Sequence, residues 1–181
     1  MGDKSTMKQR VIIGIDPDVQ MSGIARIDVD IRKAWTESLP FPLLIDYLRN
    51  VQSECIRTGK ELTVYVEATW HMSHNWNLTR YDNVRTASRK GHDVGQMQQV
   101  GKLIVEMCEY HGITVHEQKP LQKMWKGKDG KITHEELSFI TGSAWVKKRS
   151  NQEQRDALLI AWINADYPLR VRVKLSNVIN V

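Results

Sequence analysis

Two β-favouring segments of this chain each end on an acidic residue, and this feature limits the folds available to it. The segment VIIGID (11–16) is mostly apolar and ends at Asp16, and the alternating segment ELTVYVE (61–67) ends at Glu67. A carboxylate at the end of a buried strand is strongly unfavourable unless a basic group or a metal ion pairs with it. If the two strands are parallel neighbours, both carboxylates project from the same end of one sheet.

The spacing of apolar residues predicts the element order β-β-β-α-β-α-β-α-α. Strands are predicted at 11–16, 22–28, 33–38, 61–67 and 113–117, helices at 43–56, 93–110, 134–141 and 151–165, and loops at 68–91 and 118–130. Short turns between the first three strands favour antiparallel pairing, and helical crossovers favour parallel pairing for the later two. The sequence therefore predicts an α/β fold with a five-stranded mixed sheet flanked by helices.

Size and charge narrow the class of protein. The 181 residues fit a single domain spanning 1–181, with a core at about 10–166 and a basic C-terminal tail at 167–181. No apolar run approaches the roughly 18 residues of a membrane span, and the charged N-terminus lacks a secretory pattern, so a cytoplasmic protein without membrane contacts is expected. The net charge of +5 favours a polyanionic partner.

A second pair of acids lies on the last predicted helix. Glu153 and Asp156 are three residues apart, so they share one face, and the apolar stretch after Asp156 would pack that face on the sheet. Carboxylates brought together repel each other unless cations neutralise them, and oxygen ligands suit Mg²⁺ or Mn²⁺. Two such ions can activate a water and stabilise the leaving oxygen of a phosphodiester. Taken singly, each acid could instead be a turn former or a helix cap.

Four segments, in chain order, resemble the motifs of the RuvC-type Holliday junction resolvases, which belong to the ribonuclease H-like superfamily. GIDPD with the following SGIARID is similar to the first motif, a GIDPG turn between two strands, and TVYVE resembles the second, a strand ending in glutamate. GQMQQVGKLI resembles the helix that follows, and EQRDALLIA resembles the final motif, an acid three residues before an Asp-Ala pair. The resemblance covers about residues 10–166 and implies a ribonuclease H-like fold.

The resemblance also implies a site and an assembly. The metal ligands, which are also the catalytic acids, would be Asp16, Glu67, Glu153 and Asp156. The family acts as homodimers that cut two strands of a four-way DNA junction symmetrically. Two positions depart from the pattern, because Asp18 replaces an expected glycine and Glu153 stands where aspartate is common.

Further residues are expected to contact nucleic acid. PLQKMWKG resembles the family's proline-to-lysine stretch, which makes Lys123 a candidate catalytic residue beside the scissile phosphate, and Lys131 matches a second basic position; each could instead be a solvated surface lysine. Trp70 stands where the family has an aromatic that stacks on bases, and the alternative is a packing role.

The tail LRVRVKL (169–175) alternates, with Arg170 and Arg172 on one face. It is predicted either as an edge strand guarded by basic residues or as a ribbon that contacts phosphates.

Together these features predict a Mg²⁺-dependent crossover junction endodeoxyribonuclease, a hydrolase of DNA recombination and repair from a bacterium or phage. It would use two ions per active site, and Mn²⁺ would substitute: one ion activates the attacking water and the other stabilises the departing 3′-oxygen. A nuclease of the same superfamily acting on structured RNA or RNA–DNA hybrid is one alternative. A non-catalytic nucleic-acid-binding module of the same fold is another, and the intact set of four acids argues against it. The sequence does not identify a branch-migration motor as a partner.

Overall fold

The computed structural model of the protein describes residues 9–72 and 83–169. The strands are β1 (Arg10–Asp16), β2 (Ser22–Asp28), β3 (Lys33–Leu39), β4 (Glu61–Glu67) and β5 (Thr114–Gln118). The helices are α1 (Phe41–Thr58), α2 (Val84–Tyr110), α3 (His134–Thr141) and α4 (Gln152–Asn164), with 3₁₀ turns at Thr69–His71, Lys128–Gly130 and Gly142–Ala144. The predicted order of the nine main elements is confirmed.

The five strands form one mixed sheet in the order β3-β2-β1-β4-β5. The pairs β1–β2 and β2–β3 are antiparallel, whereas β1–β4 and β4–β5 are parallel. The predicted architecture is therefore confirmed, including the parallel pairing of the two strands that end on acids. Because Ile15 of β1 lies opposite Val66 of β4, the next residues, Asp16 and Glu67, lie side by side at the last positions of the two strands.

Helices cover both faces of the sheet. Side chains alternate along β1, so that Val11, Ile13 and Ile15 pack with α1 and α2 on one face, while Ile12 packs with α3 and α4 on the other. None of the helices in the described ranges is long and apolar enough to cross a bilayer.

Helix α4 approaches β1 and β2 backbone to backbone. A Cβ atom added to Gly14 would lie 2.2 Å from the carbonyl oxygen of Ala157, and one added to Gly23 would lie 2.1 Å from that of Glu153. Glu153, Ala157 and Ala161 follow each other at four-residue spacing, so one stripe of the helix runs across both glycines. The contact at Gly23 fixes the first turn of α4, which carries Glu153 and directly precedes Asp156.

Helix α2 begins at Val84 rather than at residue 93, so the predicted loop over 68–91 is wrong for its last part. The extra turns are mostly exposed, and the first buried residue of α2 is Gly101. A helix without a buried face has no apolar periodicity to reveal it. The start is marked instead by its cap, because the side chain of Asn83 accepts a hydrogen bond of 2.9 Å from the backbone N–H of Thr86.

Candidate active site

Acids from three separate elements line one pocket at the carboxyl end of the parallel strands. Asp16 ends β1, Glu67 ends β4, and Glu153 and Asp156 lie on the first two turns of α4. All four are half-buried and line a cavity of about 1380 Å³. The structure thus brings together, in one pocket, the four acids predicted from the sequence.

The four carboxyls interact through their charges. Burial raises the pKa of Asp16 well above its ordinary value, and the carboxylates of Glu67, Asp156 and Glu153 raise it further. Burial and the charge of Asp156 raise the pKa of Glu67 to about 7. Burial also raises the pKa of Asp156, although a hydrogen bond from Gln152 opposes the shift. Carboxyls whose pKa values are raised by burial and by their neighbours are stabilised by binding either protons or a cation.

The acid at the end of β2 is neutralised in a different way. The ammonium of Lys60 lies 2.9 Å and 3.0 Å from the two carboxylate oxygens of Asp28, which is buried. Within residues 9–72 and 83–169, by contrast, none of the four pocket acids forms a salt bridge with Lys, Arg or His. The fold therefore supplies a direct counter-charge for Asp28 and leaves the pocket acids open to a ligand from solution.

The donor set of the pocket fits a hard divalent cation in its chemistry. Carboxylate oxygens are the ligands that Mg²⁺ and Mn²⁺ prefer, and the pocket gathers four of them. In the described part of the chain, however, no three side chains of His, Cys, Asp or Glu are grouped closely enough to hold an ion among them. The acids therefore share a pocket without forming a closed ligand cage.

Two lysines carried by the segment before α3 face the acids. The segment turns back on itself, because the N–H of Trp125 donates to the carbonyl of Gly130 at 3.0 Å and that of Gly127 to the carbonyl of Lys131 at 2.9 Å. Lys123 and Lys131 both line the pocket. Their positive charges oppose the rise in the pKa of Glu67, so both lysines act on the acids electrostatically.

Helix α2 forms the wall of the pocket opposite α4. It contributes the half-buried side chains of Lys90, Val94 and Gln98 to the lining. Because the helix was predicted only from residue 93, the part of this wall that contains Lys90 was not predicted from the sequence. The Asn83 cap was the one signal that could have revealed it.

Arg155 and Gln152 connect the acids to the lysine segment, and neither was predicted from the sequence. The guanidinium of Arg155 donates from Nε to the carbonyl of Ile132 at 2.9 Å and from Nη2 to Oε1 of Gln152 at 2.7 Å. Gln152 in turn donates from Nε2 to Oδ1 of Asp156 at 2.7 Å. Arg155 thus joins the backbone beside Lys131 to the side chain that orients Asp156. Their i, i+3 and i, i+4 spacing is the only sequence signal for these contacts.

If these acids hold the metal ions of a DNA-cleaving site, we expect Arg155→Gln to slow cleavage about 10–100-fold, the usual effect of removing a group that orients metal ligands. The neutral side chain cannot span Ile132 and Gln152 with the planar fork of a guanidinium. The loss should fall mainly on kcat, with the KM for DNA little changed, as measured by steady-state cleavage. Arg49→Gln, at an exposed position of α1, is the matched control. Equal losses in both variants, or a loss confined to KM, would contradict a positioning role.

Trp70 lies in the 3₁₀ turn after β4 and is held by contacts within the protein. Its indole packs against Gly101 of α2 so closely that an added Cβ would lie 2.5 Å from Cζ3. Its Nε1 donates to the carboxylate of Glu117 at 3.2 Å, and that carboxylate also contacts His71. The ring is half-buried and serves a packing role in this structure, so base stacking by Trp70 stays a prediction.

Two predicted contacts fall outside the described residues. Arg170 and Arg172 belong to the range 170–181, which the structure does not describe. Their assignment to an edge strand or to a phosphate-contacting ribbon therefore stays a prediction.

Comparison with known proteins gives likenesses of structure but not of sequence. No protein family model matches the chain, and no curated protein matches it in sequence. RuvC of Thermus thermophilus in complex with a Holliday junction substrate is similar at a TM-score of 0.43 and 19% identity, over 84% of this chain and 90% of that one. A second Thermus thermophilus RuvC structure is similar at a TM-score of 0.42 and 20% identity, over 87% and 97%. Since these TM-scores are low, function must be argued from the residues of the pocket.

Proposed function

We propose that this chain is a divalent-metal-dependent endonuclease that cuts branched DNA, with the four-way junction as its substrate. The observation that carries the proposal is the gathering of four acids from β1, β4 and α4 in one pocket, with two lysines facing them. The acids have no salt-bridge partner among the described residues, whereas the strand-end acid Asp28 has one. Such an arrangement favours a bound cation over a purely structural role.

The metal ligands in this proposal are Asp16, Glu67, Glu153 and Asp156. Two bound Mg²⁺ ions, or Mn²⁺ in their place, would supply an activated water and would neutralise charge on the scissile phosphate. Two features of the chain hold the acids in position. Asp16 and Glu67 are fixed by the sheet, and Gln152 holds Asp156 in one orientation through its 2.7 Å hydrogen bond.

The lysines act on the substrate. Lys123 and Lys131 lie beside acids that a metal would neutralise, so their charges become available to the phosphate once an ion is bound. A lysine beside the scissile phosphate stabilises the extra negative charge of the transition state. We assign this catalytic role to Lys123 and a phosphate-binding role to Lys131.

The choice of branched DNA rests on the sequence motifs and on charge. The four motifs resemble those of junction resolvases in order, and the chain carries a net charge of +5. Two copies related by a two-fold axis would place two pockets on the two symmetric strands of a junction, so we propose a homodimer. Such an enzyme would act in DNA recombination and repair. Recognition of shape and backbone makes the affinity fall with salt.

The experiment is a cleavage assay on a synthetic four-way junction in Mg²⁺, beside a linear duplex and an RNA–DNA hybrid of the same sequence. We expect paired symmetric cuts in the junction, a loss of at least ~100-fold in Asp156→Asn, and no loss in Asp46→Asn on exposed α1. Cleavage of the hybrid alone would support the same active site but would indicate that its substrate is RNA. Tight junction binding without cleavage in Mg²⁺ or Mn²⁺, across several junction sequences, would indicate a non-catalytic module.

A further inference from the structure

The loop between the 3₁₀ turn at Gly142–Ala144 and helix α4 is fixed at its start by buried groups. Trp145 is only 3% exposed, and its Nε1 donates to Oγ1 of Thr36 at 3.2 Å. Lys147 is turned inward, where its ammonium donates to the carbonyl of Thr36 at 2.8 Å and to Oε1 of Gln154 at 3.1 Å. These hydrogen bonds hold the start of the loop against both β3 and α4.

The end of the same loop is fixed as well. Oγ of Ser150 lies 2.8 Å from Nδ1 of His134, and the carbonyl of Ser150 accepts a hydrogen bond of 2.6 Å from Nη1 of Arg155. With both ends held, the residues between them have little freedom. Two of these, Lys148 and Arg149, are exposed, and neither forms a salt bridge within the described ranges.

The loop adjoins the acidic pocket through a second cleft. This cleft, of about 610 Å³, is lined by Lys128, Lys131 and Arg155, among others, and it shares Lys131 with the pocket. It also contains Asp129 and Glu135, so it is mixed in charge. The hydrogen bonds from His134 and Arg155, which line the cleft, to Ser150 bring the loop to its far side. The cleft therefore adjoins both the acidic pocket, with which it shares Lys131, and the loop that carries Lys148 and Arg149.

We propose that the loop at 145–150 is a second DNA-binding surface, in which Lys148 and Arg149 contact the phosphate backbone of a duplex arm away from the cleaved bond. This inference rests on the proposed function, since it assumes a DNA substrate in the acidic pocket. Charged side chains on a loop that is already ordered lose less entropy on binding than those on a mobile loop. Contacts to phosphates carry no sequence information, so the loop positions the substrate without selecting its sequence.

The test measures junction affinity as a function of salt for Lys148→Ala/Arg149→Ala. All proteins carry Asp16→Asn, so that Mg²⁺ can be present without cleavage, and the probe is a fluorescent four-way junction. Each lost phosphate contact lowers the slope of log K against log salt by about 0.9, so we expect a fall of about 2 in its magnitude. Arg49→Ala/Arg57→Ala on α1, which covers the other face of the sheet, is the charge-matched control and should leave the slope unchanged.

The outcomes of this test distinguish a failure of the loop proposal from a failure of the nuclease proposal on which it rests. An unchanged slope and affinity in the loop variant, with normal binding by the parent protein, overturns the loop proposal and leaves the nuclease proposal standing. An equal fall in the α1 control shows a general effect of net charge and also overturns it. If the parent protein binds no DNA, both proposals fail. Since the two substituted side chains are exposed and make no ion pair in the described structure, the fold should survive, as a melting curve can verify.

Discussion

Asp16→Asn is expected to abolish junction cleavage, by at least ~100-fold, and at the same time to raise the melting temperature of the metal-free protein. The first effect follows from the proposed role of Asp16 as a metal ligand. The second follows from the pKa of Asp16, which burial and the neighbouring carboxylates hold well above its ordinary value. Replacing a repelled carboxylate with a neutral amide of nearly the same shape removes that repulsion.

The pH dependence has a definite sign. Because the pKa of Glu67 rises from 4.5 to about 7 on folding, the native state binds more protons than the unfolded state between these values. The free energy of unfolding therefore falls as the pH rises from 4.5 to about 7. Below about pH 4, the ionisation of Glu67 has little effect on it. Asp16 acts in the same direction. In a chelator, the wild-type protein should thus lose more stability between pH 5 and 8 than Asp16→Asn does.

Thermal melts at the two pH values, with EDTA or with Mg²⁺, measure this expectation independently of activity. Mg²⁺ should stabilise the wild-type protein at pH 8, in proportion to its binding, and should have much less effect on Asp16→Asn. Asp46→Asn makes the same chemical change at an exposed position of α1, outside the pocket, and should behave as wild type. If Asp16→Asn melts below the wild type at pH 8 in EDTA, or responds equally to Mg²⁺, Asp16 is not a repelled metal ligand.

The sequence predicted those parts of the fold whose signal is local. The strands that end at Asp16 and Glu67 have clear apolar patterns, and their parallel pairing follows from the helix between them. The acids of α4 were found because a spacing of three residues puts them on one helical face. Their meeting with the strand-end acids needed only that this helix pack on the sheet.

The missed contacts depend on partners distant in the chain or on surfaces without a pattern. Arg155 reaches back to Ile132, which is 23 residues away, and nothing in the local sequence marks that contact. The turns of α2 before residue 93 lack a core face, so periodicity could not reveal the part of the pocket wall that contains Lys90. For Trp70 the sequence left open stacking or packing, and the contact with Gly101 that favours packing joins residues on different elements.

Gly14→Ala should cause a large loss of stability for so small a substitution. The new methyl carbon would lie 2.2 Å from the carbonyl oxygen of Ala157 and 2.7 Å from the backbone nitrogen of Ala161, and neither atom belongs to a flexible side chain. Helix α4 must therefore move away from the sheet. Overpacking of this kind costs about 3 kcal/mol, which lowers the melting temperature of a domain of this size by roughly 6–12 °C.

Gly23→Ala makes the same clash closer to the site, because its methyl carbon would lie 2.1 Å from the carbonyl oxygen of Glu153. A shift there moves the first turn of α4, which carries Glu153 and is followed directly by Asp156. We therefore expect Gly23→Ala to weaken stabilisation by Mg²⁺ more, for a given loss of melting temperature, than Gly14→Ala does.

Gly91→Ala is the matched control for both variants. An added Cβ meets nothing within 4 Å at this helical position of α2, so alanine should stabilise the protein by about 1 kcal/mol. Melting curves of the three variants, with and without Mg²⁺, test whether the backbone contact of α4 with β1 and β2 sets the position of the acids. If Gly14→Ala and Gly23→Ala melt like the wild type, the helix does not lie against these strands as closely as described. If both respond to Mg²⁺ like the wild type despite lower stability, the acids do not depend on that contact.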